Sequence, residues 1–232
     1  METERHTTEL KAIPVWDLPV RLFHWVLVLL IIGLWVTAEE DIYYNMTLHT
    51  YFGYSVLALV LFRIVWGFVG SKHARFSDFI YGISATLDYL KHLPSRQASP
   101  YVGHNPVGGW SVILLLCALL VQTGTGLFAD DDIFTTGAFA KFVSSDTRGL
   151  LTAIHEINFN ILMLLVVLHV AAIVFYRVYK RVNLVKPMII GTKLVEPEQA
   201  SVAKKFASTW LALVLMAVIG AGVYWAVFIF AK

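Results

Sequence analysis

Five long apolar runs divide this chain, at residues 19–38, 48–70, 107–128, 150–176 and 209–230, and nearly all charged residues collect between them. Each run reaches the roughly 20 residues a helix needs to cross about 30 Å of hydrocarbon, so the pattern predicts five spanning helices. The first run follows a largely polar stretch and contains Trp25 and Trp35, which reads as a retained anchor rather than a cleaved signal. Pro19 in its first turn suits a helix start. The segment from Ser71 to Asn105, with Pro94, Ser95 and Pro100, reads as a connection carrying one interfacial helix around residues 83–93. The expected architecture is an all-α integral membrane protein, a four-helix transmembrane bundle plus a fifth C-terminal transmembrane helix.

Composition agrees, since 58% of the 232 residues are apolar and only 15% are charged. Basic residues set the expected orientation. Fourteen Lys and Arg fall in the N-terminal segment and in the second and fourth connections, against three in the other connections and the C-terminus. That bias predicts a cytoplasmic N-terminus and an external C-terminus. The net charge of +2 therefore averages a basic inner side with an acidic outer one, where Glu39, Glu40, Asp41, Asp130, Asp131, Asp132 and Asp146 stand against Lys141 and Arg148.

Cys117, the single cysteine, lies inside the third run and excludes an internal disulfide, a Cys-x-x-Cys-His attachment or a thiolate cluster. No phosphate-binding glycine loop appears, and nothing points to nucleic acid. GFVG at 67–70 and QTGTG at 122–126 sit in or at the ends of spans, where small residues permit close packing.

Four of the eight histidines lie within the apolar runs. Ionisable residues at membrane depth are costly and mark function by default. His155 and His169 are fourteen residues apart, about 3.9 turns and 21 Å of rise, so both rings leave one helix face at two depths. A zinc-protease helix is excluded, because Phe159 stands where a second histidine is required. By depth, His49 matches His155 near the outer surface and His24 matches His169 near the inner one. Haem iron held by two neutral imidazoles from facing helices satisfies one nitrogen of each ring, while the porphyrin fills apolar space. Two such haems stacked through the membrane account for all four residues. Gly53, one turn after His49, would let a flat macrocycle approach the backbone. Arg63 points toward the inner level, and Arg21 and Arg148 share faces with His24 and His155, making the three arginines candidate partners for propionates or for a quinone. A snorkelling cation is the alternative for each.

The runs PVRLFHW at 19–25, LHTYFGYSV at 48–56, FRIVWGFVGSKHARF at 62–76, NPVGG at 105–109 and KPMIIGTK at 186–193, with the His155 and His169 pair, resemble the b-type cytochrome subunit of nickel-iron hydrogenases and the bacterial cytochrome b-561 group. The resemblance covers roughly residues 14–193. It implies a di-haem bundle at 19–193, with two haems b held by histidine pairs from the first, second and fourth helices, at positions that match His24, His49, His155 and His169. Residues 1–18 are then a cytoplasmic tail, and 194–232 a cytoplasmic connection plus the fifth helix, which lacks histidine. The implied function is electron transfer in the bacterial inner membrane between the quinone pool and a periplasmic partner, a cationic c-type cytochrome or a hydrogenase-like protein. A superoxide oxidase that reduces quinone is the enzymatic alternative, and homo-oligomerisation is open. The inner side, with Arg21, Arg63, His104 and Asn105, is the expected quinone location; Gln122 and the outer haem edge are the alternative.

Overall fold

A computed structural model describes residues 10–96, 101–130, 135–197 and 206–231. The basic residues Arg5, Lys204, Lys205 and Lys232, and the acidic Asp131 and Asp132, lie outside the described residues. Five helices are long and apolar enough to cross a membrane: α1 (Leu18–Ala38), α3 (Met46–Val69), α6 (Pro106–Gly126), α7 (Ser145–Val178), and α9 (Thr209–Trp225), which continues as a π-helical turn over Ala226–Phe230. Short helices α2 (Glu40–Tyr43), α4 (Phe76–Phe79), α5 (Ile83–His92) and α8 (Val185–Ile190) lie in the connections. "Outer" below denotes the end near Ala38 and Gly126.

The helix starts follow from capping. Asp17, Asn45, Asn105 and Ser144 each accept a hydrogen bond from a backbone N–H of the first turn of α1, α3, α6 and α7, satisfying donors that have no partner within the helix. Pro19 and Pro106 occupy first-turn positions where a missing N–H costs nothing. The fourth span begins five residues before the apolar run, because Ser144 caps a polar first turn that extends beyond the hydrophobic stretch.

α1 packs on α3, α3 on α6 and α6 on α7, while α9 leans on α3 from outside. α3 is the most buried of the five and α9 the least. The core joins Phe23, Leu27, Val56, Val60, Phe62, Trp66, Leu116, Leu119 and Leu162. The outward faces of the spanning helices carry Leu29, Leu164, Val167, Trp210 and Val218, all more than half exposed. Such faces are stable against acyl chains and would each lose about 1.5–3 kcal/mol per large side chain in water. The fold is that of a multi-pass, all-α membrane protein.

Lys11–Pro14 form a strand, β1, that pairs antiparallel with β2, Thr192–Val195, with Lys11 opposite Val195. The N–H groups of Val15 and Trp16 both donate to the carbonyl of Gly191. The segment before α1 and the segment after α7 thus close over the inner end of the bundle as one unit.

Candidate functional site

At the outer end, His49 enters from the first turn of α3 and His155 from the third turn of α7. Their ring centroids are 6.5 Å apart with planes at 69°. His49 Nδ1 lies 3.0 Å from the Leu34 carbonyl oxygen, and His155 Nδ1 lies 2.9 Å from that of Gln122. A carbonyl only accepts, so in both rings Nδ1 carries the proton and Nε2 keeps its lone pair, the tautomer a metal requires. Gly126 makes the His155 position possible: a Cβ there would meet the ring Cε1 at 3.0 Å. Both imidazoles line a cavity of about 820 Å³ between α1, α3, α6 and α7. Gly53 lines it too, and a Cβ at Gly53 would meet nothing within 4 Å.

At the inner end, His24 of α1 faces His169 of α7, again with ring centroids 6.5 Å apart and planes at 52°. Trp25 packs edge-on against His24 at 4.9 Å. The two pairs stand about 21 Å apart along α7.

The separation is informative. Two imidazoles on opposite sides of one metal stand about 6.3 Å apart between centroids, from two metal–nitrogen bonds of about 2 Å and two ring radii. Among the described residues, no three His, Cys, Asp or Glu converge as a metal-binding group. Protein side chains alone therefore leave a metal under-coordinated, whereas a macrocycle with four nitrogens completes the sphere of each pair. A second observation points the same way. Among the described residues, the buried side-chain atoms without a hydrogen-bond partner are Arg21 Nε, His24 Nδ1, Arg63 Nη1, His104 Nδ1 and Arg148 Nε. Buried polar atoms are nearly always paired, and all of these except His104, in the connection before α6, lie on the helices that carry the imidazoles. Four-nitrogen macrocycles with carboxylate arms fit this donor set.

The arginines have distinct surroundings. Arg21 donates through Nη1 to the Ile189 carbonyl in the closing segment. Arg63 is only 3% exposed, with its guanidinium over the rings of Phe76 and Phe79 at 5.4 and 5.8 Å. Arg148 donates through Nη1 to Asp130 at 2.7 Å, an ion pair at the rim of the outer cavity. That pair offsets one of the acidic charges expected on the outer surface.

Two residues of the site escape sequence reasoning. Asp17, 2% exposed, caps α1 and also accepts from the Trp66 indole at 3.0 Å, tying α1 to α3; its position just before Leu-Pro is an N-cap signal. Asn158 donates to the Ala118 carbonyl at 2.9 Å and to Gln122 Oε1 at 2.7 Å, locking α7 to α6 beside His155. His104, named with the expected inner quinone location, lies between Trp16 and Phe79, each ring 4.7 Å away. Burial first, then Arg63, His73 and His169, push its pKa down to about 3, so it is neutral at physiological pH.

The family description "Prokaryotic cytochrome b561" matches residues 15–191. Similar curated proteins include three that carry the name probable Ni/Fe-hydrogenase B-type cytochrome subunit. The protein from Rhodobacter capsulatus is 24% identical, with 81% of this chain and 84% of that protein covered. The one from Rhizobium leguminosarum bv. viciae is 22% identical, with 82% and 92% covered. The one from Azotobacter vinelandii is 24% identical, with 81% and 91% covered. No solved structure gives a significant match. With the spanning helices and the family match over most of its length, the chain belongs to the prokaryotic cytochrome b561 family and is a membrane b-type cytochrome, which implies b-type haem and electron transfer.

Proposed function

We propose that the chain is a transmembrane electron carrier with two haems b, linking the quinone pool of the bacterial inner membrane to a redox partner on the periplasmic side. The observation that carries this reading is the pair of imidazole couples, each at 6.5 Å, at two depths of one helix. His49 and His155 would hold the outer group, His24 and His169 the inner one. When bound, haem b would supply a one-electron couple, and two imidazoles available to each group suit electron transfer better than oxygen chemistry. The chain's own part is positioning and tuning. Carbonyls of Leu34 and Gln122 fix the tautomer of the outer rings, Asn158 fixes the approach of α7 to α6, and Arg21, Arg63 and Arg148 place positive charge for carboxylate arms.

The basic-residue bias supports a cytoplasmic N-terminus and a periplasmic C-terminus. Glu39, Glu40 and Asp41 are exposed at the outer end and favour a cationic partner such as a c-type cytochrome. The names of the relatives make a hydrogenase-like protein the other candidate partner. Arg148 at the rim of the outer cavity favours a second reading, oxidation of superoxide with quinone as acceptor, although Asp130 offsets its charge.

The test is electron exchange between the purified, quinol-reduced chain and a cationic c-type cytochrome. The rate should fall steeply as ionic strength rises past about 0.1 M, where charges more than about 10 Å apart are screened. A salt-independent rate contradicts docking by charge, and rapid reduction of the chain by superoxide selects the second reading.

A further inference from the structure

The spanning helices are largely apolar all round, whereas α5 divides into three faces, as 100° of turn per residue places them. Thr86, Tyr89 and the C-cap Leu93 share one face and are partly buried. Ile83, Leu87 and Leu90, about a quarter-turn away, form an apolar stripe that is 71%, 53% and 43% exposed. Ser84, Asp88, Lys91 and His92 make the polar side. Both ends of α5 are tied to the same end of the bundle. The Trp110 indole, in the second turn of α6, donates to the Tyr81 carbonyl just before α5. Tyr179 and Lys180, at the end of α7, donate to the carbonyls of Pro94 and Ser95 just after it. Between these ties the Tyr89 hydroxyl meets that of Tyr176 at 2.5 Å. α5 therefore runs along the inner rim of the bundle rather than through the membrane, level with the last turn of α7. The aromatic side chains gathered there, Tyr89, Trp110, Tyr176 and Tyr179, are the kind that membrane proteins place at the headgroup boundary.

Cations collect on the same rim. Lys91, Arg96, Arg177 and Arg181 are exposed, and none forms an ion pair among the described residues. Asp88 is the acid on α5. Arg96 lies over the Tyr179 ring at 5.0 Å. Arg181 has φ of 57°, a left-handed backbone that glycine would adopt without strain, yet a cation stands there.

We propose that α5 and the end of α7 form a binding surface for anionic phospholipid in the inner leaflet, with the apolar stripe of α5 among the acyl chains and the four cations on the phosphates. The occupant follows from the two sides of this one surface. The stripe finds no partner in the described chain, and hydrocarbon lies beside it at this level. A helix whose apolar side is flanked by cations lies in the interface plane and gains from negative headgroups. Four cations against one acid select anionic over zwitterionic lipid, since each Lys or Arg near such a surface adds its own attraction. A soluble acidic partner would meet the cations and leave the stripe in water. The surface stands apart from both imidazole pairs and does not depend on the electron-carrier reading.

The test is native mass spectrometry of the full chain, delipidated in detergent and titrated with phosphatidylglycerol or with phosphatidylcholine of matched acyl chains. Phosphatidylglycerol should bind about tenfold tighter or more, and a photoactivatable form of it should label residues 83–96 and 175–181. Glycerol 3-phosphate, which has the headgroup charge without the chains, should not displace it. Arg177→Gln combined with Arg181→Gln should weaken phosphatidylglycerol about fivefold per cation removed and leave phosphatidylcholine as it was. Leu87→Ser combined with Leu90→Ser should weaken both lipids. Lys141→Gln, at the outer end, should change neither, which separates this surface from the net charge of the chain. The contrast between the two lipids and the position of the label use the unmodified chain, so they decide the matter even where a variant fails to fold. Equal affinity for the two lipids, label outside those residues, or undiminished phosphatidylglycerol binding in the double arginine variant would each overturn the proposal, as would a dimer of the chain that keeps lipid off α5.

Discussion

The carbonyl oxygens of Leu34 and Gln122 decide which nitrogen of His49 and His155 is free, and a glycine decides where the second ring sits. Gly126 faces the imidazole of His155 so closely that a Cβ would touch it at 3.0 Å, whereas a Cβ at Gly124 meets nothing within 4 Å. Gly126→Val should therefore displace the ring and lower occupancy of the outer haem site, while Gly124→Val leaves it intact; haem content per chain distinguishes them. At the inner level, Arg63 is a buried cation held over two aromatic rings. A positive charge nearby favours the reduced, less positive state of an iron centre. Arg63→Leu should lower the midpoint potential of the inner haem, on the order of 50 mV for about 1 kcal/mol of lost stabilisation in a one-electron couple. Redox titration of the variant checks this, and unchanged potentials would return Arg63 to a packing role.

Among the elements, the strand pair at the inner end has the most to say about what a sequence reveals. α7 was legible because fourteen residues between His155 and His169 return a helix to nearly the same face, and one face at two depths is a local, periodic signal. β1 and β2 are four residues each and meet at the inner end from far-separated parts of the sequence, one before α1 and one after α7. Nothing in their own short patterns marks that pairing, which depends on where α1 and α7 place their termini. The same holds for Asn158, whose role appears only when Gln122 is brought beside it. Arg148 shares a face with His155 by its spacing in the sequence, but its pairing with Asp130 spans eighteen residues and a connection. The clasp itself turns on Gly191, with φ at 84° and a hypothetical Cβ only 2.9 Å from the Trp16 carbonyl oxygen. Gly191→Ala should destabilise the chain by roughly 1–3 kcal/mol, through left-handed strain and that clash. Thermal unfolding in detergent should show a lower midpoint, with loss at the inner haem site preceding loss at the outer one.

At the scale of the whole molecule, four helices place two imidazole pairs near opposite ends of the bundle, and the fifth adds a wall on α3. Electron transfer across a membrane needs this division: two sites on one rigid helix, apolar packing between them, and access from different sides. Val56, Val60, Leu116 and Leu119 are buried in the core that joins the helices. Because each imidazole pair takes one ring from α7 and the other from a different helix, two haem sites built on these pairs should fail separately. The most direct measurement is haem per chain, by pyridine haemochrome assay and reduced-minus-oxidised spectrum, in the unmodified protein and in His24→Ala and His49→Ala. The prediction is two haems b in the unmodified chain and one in each variant, with the two variants retaining spectroscopically different haems. A single haem in the unmodified chain, or two haems surviving either substitution, would contradict it.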